Sequence, residues 1–113
     1  MAIYGVQSDF RVAPELSFEL PAYITGTAKL KAGTPVGGAT NFLADETAEL
    51  SATADATTQG LLLHEANPTA DGADTVSVMT AGIVNINRMD ADVQALITDD
   101  IKAALPDITF IKR

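Results

Sequence analysis

The last third of the chain, residues 60–113, constrains the fold most, because strand, turn and helix signals follow one another there without a gap. Residues 60–64 begin with glycine and three leucines, as expected of a strand buried on both faces. Residues 75–87 are rich in β-branched side chains, and Gly82 marks a bulge or a close backbone approach. Residues 108–111 predict a short final strand. The body of the protein is therefore predicted to be mainly β.

One amphipathic helix is predicted near residues 91–105. Asp90 or Asp92 can cap its first turn, where both carboxylates also favour the positive end of the helix dipole. Apolar residues then recur at spacings of three and four along one face. Pro106 ends the helix because it has no amide hydrogen to donate. The fold class predicted from these elements is α+β, mostly β.

The first 21 residues are less regular, and Pro14 and Pro21 interrupt them. Residues 16–20 alternate with the period of a half-buried strand, whereas the residues before them suit either an extended arm or a core strand. At 113 residues the chain has the length of one domain. We predict a flexible, partly extended N-terminal arm over residues 1–21 and a single β-rich domain over residues 22–113.

The charge of the chain is unevenly distributed. Its formal net charge is −8, and no Lys or Arg occurs between Ala32 and Asn87. An acidic chain without clustered Lys and Arg does not suit the phosphates of nucleic acid, so no nucleic-acid partner is predicted. The acidic stretch suits either a solvated face or a surface that docks on a basic partner.

Reactive motifs are lacking in the sequence. There is no cysteine, and the only histidine, His64, follows three leucines, which indicates a core or interface residue. The glycine-rich segment 33–38 lacks the Lys-Ser/Thr of a phosphate-binding loop and is interpreted as a turn. Residues 71–74 offer two acids, too few for a calcium loop. We therefore predict no catalytic, metal-binding or cofactor-binding residues, and a protein that is not an enzyme.

Signals for membranes and export are lacking as well. No apolar segment approaches the roughly 20 residues that a membrane-spanning helix needs. The first 16 residues lack the basic head and apolar run of a signal peptide. The sequence predicts a protein made in the cytoplasm, and used there or assembled there into something larger.

The order of these elements resembles the head decoration (head fibre) proteins of tailed bacteriophages. The resemblance covers roughly residues 26–113 and depends on the combination of three motifs. These are the glycine-aliphatic strand at Gly60–Leu63, the Val-x-Val…Gly-x-Val-Asn strand at Val76–Asn85 and the Leu-Pro-x-Ile-x-Phe-Ile segment at Leu105–Ile111. The upstream AGTPVG at Ala32–Gly37 is similar to the loop that often opens this module.

The resemblance implies a structural virion protein that binds the outside of an assembled capsid and cements neighbouring capsomers. Its partner would be the major capsid protein, and it would often act as a homotrimer. Its location would be the exterior of the virion, after synthesis in the host cytoplasm. The implied body is a small β-sandwich or β-tulip-like domain, similar to lambda-type decoration proteins, whose N-terminal segment orders on the capsid by adding a strand.

The apolar side chains of the arm are its candidate contacts with the capsid. We expect Ile3, Tyr4, Val6 and Phe10 to carry this contact, since main-chain bonds supply affinity and alternate side chains set the register of an added strand. The alternative is a β-rich phage or bacterial surface module that recognises a receptor or a carbohydrate. The scarcity of aromatic residues, 5% of the chain, disfavours that alternative because sugar sites use aromatic platforms.

Overall fold

The computed structural model describes residues 10–12 and 17–113, and most of them belong to β-strands or to the turns between strands. The mostly β character predicted from the sequence is confirmed. The strands are β1 (Arg11–Val12), β2 (Phe18–Ile24), β3 (Pro35–Gly37), β4 (Glu49–Ala52), β5 (Thr58–Leu62), β6 (Asp74–Asn85) and β7 (Ile108–Ile111).

Five of the strands form a closed ring. β6 pairs with β2, β2 with β4, β4 with β3, β3 with β5, and β5 pairs again with β6. Every pairing in the ring is antiparallel except the parallel contact of β2 with β4. Closure leaves the ring with few free strand edges, so the body is a small barrel.

The second half of β6 continues beyond the ring into a three-stranded sheet. There it pairs antiparallel with β1 and parallel with β7, whose Ile108 lies opposite Gly82. Gly82 has a φ of 134°, and a Cβ at this position would lie 2.6 Å from the Met79 Cε atom. The same Cβ would lie 3.1 Å from the Cα atom of Ser17, so of the two alternatives predicted at Gly82, a bulge or a close backbone approach, the close approach is present.

Successive residues of β6 face two separate hydrophobic cores, because side chains alternate along a strand. Val78 packs inside the barrel with Leu62 of β5, whereas Met79 packs outside it with Leu61. The inner core consists of Ala22, Ile24, Val36, Phe42, Ala48, Leu50, Leu62, Ala66, Val76 and Val78. The outer core consists of Phe10, Leu61, Leu63, Met79, Val84, Ile86, Met89, Val93, Ile97, Ile101, Leu105 and Ile108. The outer core thus joins the barrel wall to the C-terminal segment.

The single helix predicted at residues 91–105 is wrong, because two short helices occupy this segment. They are α1 (Ala91–Gln94) and α2 (Asp99–Ala104). Thr98 has extended backbone angles, and its hydroxyl accepts a hydrogen bond from the Ile101 amide at 3.4 Å. Asp99 and Asp100 then occupy the first turn of α2, where the helix dipole favours carboxylates. The sequence Thr-Asp-Asp thus starts a new helix, and the apolar stripe still reaches the outer core.

The boundary predicted between arm and domain at residues 21 and 22 falls inside strand β2. Pro21 lies opposite Ser77 of β6, in the middle of the strand. β1 also belongs to the domain, because Arg11 and Val12 pair with the second half of β6. A proline is tolerated in β2 because Ser77 directs its carbonyl to the Leu63 amide and not to β2.

Alanine substitutions at three glycines measure the cost of a strained backbone separately from the cost of steric crowding. They therefore test the fold. We expect Gly82→Ala to lower the free energy of unfolding most, because it adds overpacking of about 1–3 kcal/mol to the cost of its positive φ. Gly26→Ala should lose about 1–3 kcal/mol from strain alone, since its φ is 127° and a Cβ there meets nothing within 4 Å.

The matched control is Gly72→Ala, at an exposed position with open space for a Cβ. It should change the unfolding free energy by at most about 0.5 kcal/mol. Urea unfolding of the three variants measures these differences. Equal losses for Gly82→Ala and Gly72→Ala would contradict the close approach of Gly82 to the Met79 side chain and to Ser17.

Candidate association surface

The four predicted contact residues divide into two groups. Ile3, Tyr4 and Val6 lie outside the described residues, so their contact role stays a prediction. Phe10 is 1% exposed and packs in the outer core, and its carbonyl accepts a hydrogen bond from the Asn85 amide at 2.9 Å. Its side chain therefore holds the chain against β6 and is not on the surface of this body.

Three large apolar side chains on β2 remain exposed, and we refer to Phe18, Leu20 and Tyr23 as the β2 strip. Their exposed fractions are 52%, 37% and 43%. Leu20 lies opposite Val78 at the end of the barrel, and Tyr23 lies opposite Thr75 on the outer wall. Phe18 and Leu20 share one face of β2, whereas Tyr23 points to the opposite face, because side chains alternate along a strand. Large apolar side chains that remain exposed are a common mark of an association surface. Sequence reasoning missed the strip, since the same alternation is typical of a half-buried strand.

Two shallow depressions flank the Tyr23 end of the strip. One has a volume of about 340 Å³ and is lined by Tyr23, Glu46, Thr47 and Thr75, together with neighbouring residues of β2. The other has a volume of about 350 Å³ and includes Glu49. Both rims carry carboxylates, so the end of the barrel near Tyr23 is polar and acidic.

Acidic residues lie near the start of β6, and basic residues lie near its end. Asp74 begins the strand and accepts a hydrogen bond from the Asn67 amide, close to Glu65. Asn85 ends the strand, and its side chain bonds the main chain of Arg113 at 3.2 and 3.3 Å. Arg88 lies at this second end too, where its guanidinium donates to the carbonyl of Arg11. The fold thus separates an acidic end from a basic end.

Ion pairs and turns account for several of the surface carboxylates. Asp92 accepts a hydrogen bond from Lys31 Nζ at 2.9 Å, and this contact raises the pKa of Lys31. The Thr47 hydroxyl and amide both donate to Asp45, which lowers the pKa of that carboxyl. Asp55 accepts the same pair of bonds from Thr57, and its pKa is lowered likewise.

The histidine, the glycine-rich segment and the acidic turn considered in the sequence analysis occupy structural or surface positions. His64 is exposed just after β5, so the prediction of a core histidine is wrong; an interface role stays a prediction. Residues 35–37 of the glycine-rich segment form buried strand β3, and only Gly33, with a φ of 93°, makes the predicted turn. Residues 71–74 lie in an exposed turn before and at the start of β6.

Within residues 10–12 and 17–113 there is no group of three or more His, Asp or Glu side chains placed to hold a metal ion. No helix in the same residues has the length and apolar character to cross a membrane. No protein-family model and no curated protein matches the chain. The candidate site consists of the β2 strip and the charged residues near the two ends of β6.

The two Asp–Thr turns predict how stability depends on pH. A carboxyl whose pKa is lower in the folded state stabilises the fold above its unfolded pKa of about 3.8, and this stabilisation is lost as pH falls through the lowered value. We expect the unfolding free energy of the native chain to decrease from pH 5 towards pH 3. In the double variant Asp45→Asn, Asp55→Asn this decrease should be smaller.

Urea unfolding at pH 5.5 and at pH 3, on the native chain and the double variant, measures the difference. Asn retains the acceptor oxygen of the turn but has no charge to titrate. Asp71→Asn, in an exposed turn, is the matched control. An unchanged pH dependence in the double variant would show that the Thr47 and Thr57 contacts contribute no pH-dependent stability.

Proposed function

We propose that this protein is a structural virion protein that binds the outside of an assembled phage capsid and cements neighbouring capsomers. Its partner in this proposal is the major capsid protein, and three copies associate at each site. The resemblance of residues 26–113 to head decoration proteins supports the proposal, and the closed barrel is compatible with the tulip-like bodies of that group.

The observation that carries the proposal is the burial of Phe10 directly after the apolar N-terminal segment. Phe10, which directly follows residues 1–9 in the chain, is packed in the outer core, and its carbonyl accepts a hydrogen bond from the Asn85 amide. A segment anchored in this way can add to a partner strand while the barrel remains folded. In this proposal Ile3, Tyr4 and Val6 carry the contact with the capsid; in an added strand Tyr4 and Val6 would share one face and Ile3 would lie on the other.

The β2 strip supplies a separate surface for contact between copies. Phe18 and Tyr23 are large aromatic side chains, the type enriched at the centre of protein interfaces. They lie on a strand of the closed barrel, so the surface they form is rigid. In this proposal the β2 strip joins neighbouring copies and the N-terminal segment joins each copy to the shell.

Deletion of residues 2–9 tests the capsid contact. We expect this variant to lose binding to purified shells in co-sedimentation, because the strand-forming residues are gone, and to unfold in urea almost as the full chain does. A deletion of residues 1–20 would be a poor test, since it removes β1 and the start of β2.

Point variants sharpen the test. The triple variant Ile3→Ser, Tyr4→Ser, Val6→Ser should weaken binding as strongly as the deletion does. Gln7→Ala with Ser8→Ala, in the same segment, should bind like the native chain. Full shell binding by the deletion variant would refute the assignment of the contact to this segment.

Association between copies is tested by Phe18→Ser with Leu20→Ser. Burial of each of these side chains contributes about 1.5–3 kcal/mol, so the self-association constant should fall at least about tenfold. Sedimentation equilibrium measures it. Leu43→Ser with Leu96→Ser is the control, because both leucines are exposed but belong to segments other than β2. Equal effects of the two double variants would argue against the β2 strip.

A second candidate function is a surface module that recognises a carbohydrate. The favouring observation is Tyr23, which is 43% exposed in a depression that also holds Glu46 and Thr47. An aromatic face beside a carboxylate can stack on a sugar ring and bond its hydroxyls. Such a module would bind glycans and ignore purified shells, so the shell-binding assay separates the two functions.

A further inference from the structure

The outer edge of β7 carries main-chain groups that no described residue binds. β7 runs parallel to β6, and the Gly82 amide donates to the Asp107 carbonyl, so the odd-numbered residues of this segment direct their main chain to β6. Phe110 and Lys112 therefore direct their amides and carbonyls outward. Within residues 10–12 and 17–113 these groups make no hydrogen bond. An unpaired edge of this kind can template another strand.

Two other edges outside the ring are less suited to strand pairing. Pro21 on β2 has no amide hydrogen to donate. The Arg88 guanidinium donates to the Arg11 carbonyl at 3.1 Å, and β1 is only 2 residues long. Proteins commonly protect their edges with proline, with charge or with very short strands. Residues 108–111 contain no proline and no charged side chain, so β7 has the longest unprotected edge of the described strands.

The residues of this edge complement themselves when a second copy runs antiparallel to the first. Asp107 precedes β7, whereas Lys112 and Arg113 follow it, and all three side chains are exposed. Antiparallel alignment on Phe110 places Asp107 of each copy opposite Arg113 of the other, with both side chains on the same face. A register shifted by two residues loses this contact, because it places Asp107 opposite Ile111 or opposite no residue of the segment. The charges therefore favour a second copy as the partner.

The main chain of the edge fits the same alignment. Residues that both point outward form the hydrogen-bonded pairs of an antiparallel ladder, and here these are Phe110 with its own copy and Ile108 with Lys112. The Ile108 amide already donates to the Leu105 carbonyl at 3.1 Å. At each of these outer pairs the Lys112 amide therefore donates to the Ile108 carbonyl, and the Phe110 pair adds two bonds at the centre.

The side chains on both faces of the paired strands suit the contact. Thr109 of each copy lies opposite Ile111 of the other, and β-branched residues are favourable in strands. Phe110 is partly buried against the outer core, and its copy would lie directly beside it. Aromatic pairs across neighbouring strands stabilise a sheet.

We propose that β7 pairs antiparallel with β7 of a second copy about a two-fold axis. Both copies use the same surface in such a contact, as a two-fold interface requires. The two molecules then share one continuous sheet, in the strand order β1–β6–β7–β7–β6–β1. Pairing covers the open edge of each molecule with the open edge of the other.

This contact goes beyond the proposed function, because it joins two free molecules and requires no shell. Its surface is also separate from the β2 strip. A two-fold contact cannot join copies within a three-fold ring, so in the proposed capsid assembly β7 would link one trimer to another. Only this last consequence rests on the proposed function.

Exchange of the two charges tests the alignment. The background protein carries Phe18→Ser and Leu20→Ser, so that the β2 strip does not contribute to association. We expect this background protein to form dimers in sedimentation equilibrium below millimolar concentration. Asp107→Arg alone or Arg113→Asp alone places like charges opposite each other at both ends of the dimer contact. Either change should therefore raise the dissociation constant at least about tenfold.

The variant with both exchanges has opposite charges facing each other again and the original net charge. Its dissociation constant should return to within about threefold of the background value, because the two effects are coupled. Asp71→Arg, in an exposed turn, controls for the change of net charge and should dimerise like the background. A background protein that stays monomeric at millimolar concentration would overturn the proposal. Failure of the double exchange to restore dimerisation would overturn it as well.

Amide hydrogen exchange measured by NMR tests the main-chain contact. The Phe110 and Lys112 amides should exchange at least about tenfold more slowly in concentrated protein that dimerises than in dilute protein. The Thr109 amide, which faces β6, is the internal control and should be protected equally at both concentrations. Protection of Phe110 and Lys112 that does not change with concentration would overturn the proposal, because a contact within one chain would then cover the edge.

A proline substitution removes the outward donor alone. Lys112→Pro should abolish the dimer and leave the urea unfolding transition almost unchanged, since the lost amide points away from β6. Lys112→Ala loses the same charge but keeps the amide, so it is the matched control and should still dimerise. Equal dimerisation of the two variants would count against β7 pairing. Shell binding is measured separately by co-sedimentation, so failure of the β7 contact and failure of the capsid proposal can be told apart.

Discussion

The pairing of β6 with four other strands is the interaction on which the rest of the structure depends. Its first half closes the barrel between β2 and β5, and its second half carries β1 and β7. Because side chains alternate along it, the strand also supplies residues to both hydrophobic cores. Neither core would form without it, since the inner core needs ring closure and the outer core needs the wall that closure creates.

Closure of the ring also limits the strand edges that are available to pair with a partner. A closed barrel satisfies most of its main-chain groups internally, so contacts through strand pairing are confined to the few edges left outside the ring. Pro21 on β2 has no amide hydrogen to donate, and the Arg88 guanidinium donates to the Arg11 carbonyl at β1, whereas the β2 strip offers exposed apolar side chains.

The charged residues make the two ends of the barrel electrostatically different. Asp74 and Glu65 lie near the start of β6, whereas Arg88 and the main chains of Arg11 and Arg113 lie near its end. The Arg11 guanidinium is itself paired with Glu19 at 3.3 Å. Partners that approach such a molecule experience different potentials at its two ends, and charged contacts of this kind set orientation and encounter rate more than affinity. The sequence already lacks Lys and Arg between Ala32 and Asn87, and the fold brings the acids of this stretch close to the start of β6.

Local sequence determined the elements whose signals act over a few residues. The apolar run before His64, the β-branched run around Gly82 and the last strand at residues 108–111 all appear where their patterns predicted them, because burial on one or both faces dictates those patterns. The start of α2 at Thr98 could also have been predicted, because a capping residue followed by two acids is typical of a helix N-terminus. The apolar stripe continues across this position, so the sequence pattern indicated one helix where there are two.

Only the tertiary structure decided the features that depend on distant partners. Phe10 is buried because the outer core has space for it against β6, and Pro21 is tolerated because the opposite carbonyl turns to β5. The exposure of Phe18 and Leu20 also depends on distant residues. The alternating pattern determines the face of β2 to which they point, but it does not determine which residues cover that face. Strand pairing between residues far apart in the chain sets which faces and edges remain open, and no short-range pattern encodes that pairing.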